Sequence, residues 1–100
     1  ILAMGRDVLA MVKMSVAAYV QVDLDAAAKV IAHDDVVDRS FVAIRDAIAR
    51  HIAEHPDAAA DALDLFMAAK YLERLADHAV NVAEWVGFLK TGVHKSRRIV

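Results

Sequence analysis

The 100-residue sequence contains no cysteine. That removes disulfides and thiolate metal sites, and it suits a chain at home in a reducing cytosol. Neither charge sign dominates. A formal net charge of -2 makes no electrostatic bid for nucleic acid. Mean hydropathy is high for a soluble protein, at +0.38. Even so, charges return every few positions, and no apolar run approaches the roughly 18 residues of a membrane span. No basic segment precedes an apolar core at the start. The chain opens on Ile1 already in helical register and without an initiator Met, so it reads as a fragment whose first helix continues upstream. Glycine and proline are scarce, and Pro56 and Gly92 fall where helices should stop. No strand pattern is visible.

What remains is alanine and a helical period. A first helix is expected from about the start to Val22, with Leu2, Leu9, Val12, Val16 and Tyr19 on one stripe. Met4, Val8, Met11 and Ala18 form its neighbour. So wide an apolar face suits a helix touching two partners. Met4, Met11 and Met14 read as gap-filling core residues rather than an adaptable binding surface. Asp23 is placed to cap a second helix running from Leu24 to about His55, with Asp25 in its first turn. Its seam is Val30, Asp34, Val37, Phe41, Ile44 and Ile48. Pro56 ends that helix and starts a third, which runs to Lys90 and stops at Thr91-Gly92. The expected architecture is all-α: an up-down-up three-helix bundle over residues 1–92, then a short basic tail over 93–100.

The stretch from Lys70 to Trp85 organises the rest. Leu65, Ala68, Leu72, Leu75, Ala79, Val82, Val86 and Leu89 step by three and four and predict the core-facing seam of the third helix. A second line beside it runs Phe66, Ala69, Glu73, Asp77, Val80, Glu84 and Phe88. Glu73 and Asp77 differ by only about 40° around the helix, so both carboxylates point the same way. On the second helix, Asp34 sits in the seam and Asp38 follows one turn on. Like charges at this spacing repel, and partial burial raises that cost. Asp34 and Asp38 precede Pro56 by about 20 residues, and Glu73 and Asp77 follow it by about 20. An antiparallel pair with a short turn therefore brings both acid pairs to similar heights. Four such carboxylates suit a hard cation such as Mg²⁺, Ca²⁺, Mn²⁺ or iron, with His78, Asn81 and Glu84 as supplements. The plainer reading is surface ion pairs of little value with Lys29, Arg39, Arg45, Lys70 or Arg74.

Two other patterns lead away from enzymes. His51-Ile52-Ala53-Glu54-His55 spells the H-x-x-E-H motif of inverted zinc proteases. It lies at the end of a helix, in a domain too small to enclose a cleft and a third ligand, and histidines there already suit the helix dipole. The Glu-x-x-His pairs of a ferritin-type di-iron site are absent, because Ala76 follows Glu73 and Gly87 follows Glu84. No nucleophile triad or phosphate-binding glycine loop is visible.

The run Leu72-Glu73-Arg74-Leu75-Ala76-Asp77-His78-Ala79-Val80-Asn81-Val82-Ala83-Glu84-Trp85-Val86 resembles the signature helix of the PhoU family, regulators of bacterial phosphate uptake. Members carry an L-E-R-x-x-D-x-x-x-N-x-x-E pattern. Asp34-Asp35-Val36-Val37-Asp38, with Phe41, resembles the other half of the family's acidic motif. Ala76 stands where many members have glycine. Family members hold two tandem three-helix repeats, and this chain holds one, more like the second. Either it is a fragment, or two copies stand in for the two repeats as a homodimer. The resemblance implies regulation, not catalysis. It points to a cytoplasmic protein acting at the membrane with the phosphate ABC transporter (Pst) and its sensor histidine kinase, and shutting off phosphate-starvation signalling. It also implies iron or zinc on Asp34, Asp38, Glu73 and Asp77, with Asn81 and Glu84 as lesser ligands. The alternative is a purely structural helical module whose acidic face pairs with a basic partner and binds no metal.

Overall fold

The computed structural model describes residues 1–91. Three helices form an up-down-up bundle: α1 (Leu2–Gln21), α2 (Leu24–Glu54) and α3 (Ala59–Thr91). A single 3₁₀ turn, Pro56–Ala58, leads into α3. The expected boundaries hold to within a few residues, while the Gly92 stop and the basic tail lie outside the described residues. No described helix is long and apolar enough to cross a membrane.

Only Val22 and Asp23 separate α1 from α2, so the chain must reverse within two residues. Val22 adopts the left-handed conformation, with φ 50° and ψ 50°. The Asp23 N–H donates to the Ala18 carbonyl at 2.9 Å and the Val22 N–H to the Tyr19 carbonyl at 3.3 Å. This pair of bonds is a Schellman closure, which glycine normally serves. A β-branched residue there is strained by about 1–2 kcal/mol. It is held because its side chain packs against the core. The Asp23 carboxylate then accepts from the N–H groups of Asp25 (3.0 Å) and Ala26 (3.2 Å), the expected cap of α2.

Met4, Val8, Met11 and Ala18 of α1, Val30, Val37 and Phe41 of α2, and a line of small residues on α3 make the core. Ser15 is buried among them, and its hydroxyl donates to the Val12 carbonyl at 2.8 Å, so it costs little. Of the two stripes on α1, the methionine stripe is the buried one. Leu2, Leu9, Val16 and Tyr19 are exposed. The expectation for α3 holds only in part, with Leu72 packed against the core. Leu65, Ala68, Leu75 and Leu89 of the predicted seam face outward, although Ala79 and Val86 are buried. The core-facing stripe runs between the two predicted lines: Ala62, Ala76 and Ala83, which belong to neither, are buried together with Ala69 and Val80 of the acidic line and Ala79 and Val86 of the leucine line. The reason is size. A helix packed on two others approaches most closely along alanines, and dense packing leaves no room there for a row of leucines.

Candidate acidic site on α2 and α3

Two contacts align the antiparallel pair α2/α3. The rings of Phe41 and Phe66 lie 5.7 Å apart, and the Lys70 ammonium stands 5.1 Å from the Phe41 ring centroid. Counting along both helices from these anchors brings residues 34–38 alongside 73–77 to within about one turn. The matching heights expected from the sequence are therefore present.

The helical phase decides what each acid does. Asp34 lies one turn from Val30 and from Val37, both buried, and so occupies the seam. Glu73 stands in the same relation to Ala69 and Ala76 on the facing helix. Asp34 buries its Oδ1. Glu73 is half-buried and accepts a hydrogen bond and ion pair from Lys70 Nζ at 3.0 Å. The Lys70 ammonium thus lies between a carboxylate and an aromatic face, and both attract it. Asp77, Asn81 and Glu84 are half-buried beside the seam, whereas Asp38 is exposed. The Oδ1 of Asn81 is buried and has no hydrogen-bond partner among the described residues. That leaves one acceptor oxygen on this face unsatisfied, which costs free energy unless something donates to it or ligates it.

Metal binding is a separate question. Among the described residues, no three His, Asp or Glu side chains stand together closely enough to hold a metal ion. Val30, Val37, Ala76 and Val80 are buried among the acids. One copy of this unit does not by itself offer the three- or four-ligand set that iron or zinc takes. His78, the sequence's candidate supplement, is exposed.

The H-x-x-E-H stretch sits at the end of α2. The His51 and His55 rings lie 4.9 Å apart and both are exposed. His51 borders an open apolar hollow with Ile44, Ile48 and Leu65, and the two rings do what one-turn neighbours at a helix C-terminus do: they touch each other and face the negative end of the dipole. Like the Phe41–Phe66 and Lys70–Phe41 contacts, the approach of His33 Nε2 to Asp7 Oδ1 at 3.6 Å between α1 and α2 is absent from the sequence pattern. Nothing in the spacing of either residue signals it.

The comparisons with known proteins agree with this picture. The PhoU domain family model matches residues 1–86. A phosphate-specific transport system accessory protein PhoU homolog of Pseudomonas aeruginosa is 34% identical over 88 residues, which is 88% of this chain and 36% of that protein. The homolog of Clostridium acetobutylicum is 35% identical over 89 residues, 89% of this chain and 41% of that protein. PhoU homolog 1 of Thermotoga maritima is 37% identical over 75 residues, 75% of this chain and 32% of its own length. The chain therefore spans about a third to two fifths of the relatives it matches. No solved structure matches it. Family model, relatives and helical architecture agree: this chain belongs to the PhoU family.

Proposed function

We propose that the chain is a non-enzymatic regulatory unit of bacterial phosphate uptake, acting in the cytoplasm on the phosphate ABC transporter and on its sensor histidine kinase. Its work there is to silence phosphate-starvation signalling when phosphate is plentiful. The match of the family model over residues 1–86 carries this reading, because the relatives that share it are accessory proteins of phosphate-specific transport. The half-buried acidic line of α2 and α3 is its candidate working surface, since the buried Asn81 Oδ1 beside it has no hydrogen-bond partner among the described residues.

Asp34, Asp38, Glu73, Asp77, Asn81 and Glu84 remain the residues to which the family resemblance assigns a metal. Because one copy presents no three-ligand set, an ion held there takes further ligands from water or from outside this unit, as hard cations commonly do. A second reading has its own support. Glu73 already pairs with Lys70, which is how the acidic face would greet a basic partner segment without any metal. In either case two copies act together as a homodimer.

The test is a phosphate-starvation promoter fused to a reporter, in cells lacking their own regulator. Expression of this chain should restore repression at high phosphate, and Asp34→Lys with Glu73→Lys should relieve it. A reporter that stays fully active while the folded chain accumulates would overturn the proposal. Elemental analysis of the purified chain then separates the two readings, since only the first predicts a bound metal lost in that variant.

A further inference from the structure

Four of the exposed leucines, Leu2, Leu9, Leu75 and Leu89, fall in two regular rows. Leu2, Leu9 and Val16 recur every seven residues on α1, and Leu75, Val82 and Leu89 do the same on α3. The two rows border two hollows that follow one another along the α1/α3 seam. One is lined by Leu9, Val12, Leu72 and Leu75, and the other by Val16, Val82 and Leu89 with Tyr19 and Trp85. The rows are in register, because Leu9 and Leu75 share one hollow and Val16 and Val82, each seven residues on, share the other. Leu9 is 54% exposed, Val16 55% and Leu75 48%. A heptad row is the spacing that keeps a face turned toward another helix along its whole length.

We propose that this α1/α3 face is where a second copy of the chain docks, its own α1 and α3 completing a four-helix layer across the interface. Two observations choose a second copy over another occupant. Two parallel apolar rows make a self-complementary patch, since each row of one copy can fill the hollows of the other, as an isologous two-fold contact requires. The area is also of the right order. Leu2, Leu9, Val16, Leu75, Trp85 and Leu89 each present on the order of 100 Å², roughly 600 Å² per protomer before the floor of the hollows is counted. A standard interface takes about 800 Å² per partner, and a monomer rarely exposes so large a patch. The proposal supplies a surface for the homodimer proposed above, and it does not depend on the phosphate reading.

Sedimentation equilibrium of the 100-residue chain is the test. The wild type should be a dimer at micromolar concentration. Leu9→Glu with Leu75→Glu should weaken association at least about 100-fold, with helicity by circular dichroism unchanged because both positions are already half-exposed. Val42→Glu, on the exposed side of α2, should leave the dimer intact. A wild type that stays monomeric at hundreds of micromolar would sink both the dimer and this face. A dimer that survives the double substitution would sink the face alone, and place the contact elsewhere. Neither result touches the reporter experiment.

Discussion

Helix α3 has two long faces that divide its chemistry in an unexpected way. The face turned into the bundle carries Ala69, Ala76 and Val80 together with Glu73 and Asp77, and the face turned outward carries Leu65, Leu75 and Leu89. Hydrophobicity alone would reverse that order. The inner face is small enough to let three helices close on one another, and its carboxylates reach the rim of the seam. The outer face is large and apolar, which is worth about 25 cal/mol per Å² only if something covers it. Inner fit is set by volume, and outer stickiness is left for a partner.

That contrast can be broken by substitution. The largest effect should come from Phe41→Ala, which removes a buried ring together with its contact to Phe66 and its cation–π contact with Lys70. A loss of about 3–5 kcal/mol in urea unfolding is expected. A loss below about 1 kcal/mol would mean the α2/α3 anchor is misplaced. Next comes the sharpest test of the two faces, a pair of neighbours on α3. Ala76→Leu inserts bulk at a fully buried site and should destabilise by about 1–3 kcal/mol. Leu75→Ala, one residue away, should cost the monomer far less, measured in the Leu9→Glu background where copies do not pair. Equal costs would contradict the phase assigned here.

Most of the architecture was legible in the sequence. The Asp23 cap, the Pro56 break and the α2 seam through Val30, Val37 and Phe41 all stand where spacing put them, because caps and prolines act locally. The α3 seam was legible only in part. Two adjacent lines at helical spacing both satisfied the periodicity, and the core took the alanine stripe between them, a choice that depended on the distance between helix axes, which no single helix records. The acid positions were readable for the same local reasons. That no three of them group closely enough for a metal among the described residues was not, since it follows from that unforeseen phase. Left-handed Val22 also carried no signal, because glycine is the residue that announces such a turn.

Smaller effects sharpen the picture. Asp23→Ala should cost about 1 kcal/mol through loss of the α2 cap, seen as a lowered melting temperature. Val22→Gly should shift stability by less than about 1 kcal/mol, because relief of the left-handed strain offsets lost packing against the core. Lys70→Met should lie within about 1 kcal/mol of wild type, since the Lys70–Glu73 pair is largely solvated on the lysine side. A larger loss would show that the acidic line relies on Lys70 for neutralisation.

The central claim is that the two faces act independently, one acidic and regulatory, the other apolar and self-associating. The most direct measurement is the solution mass of the Asp34→Lys/Glu73→Lys variant beside that of Leu9→Glu/Leu75→Glu at the same concentration. The account predicts a dimer for the first and a monomer for the second. A monomeric acid-face variant that keeps its full helicity would contradict it, by showing that the carboxylates belong to the interface between copies.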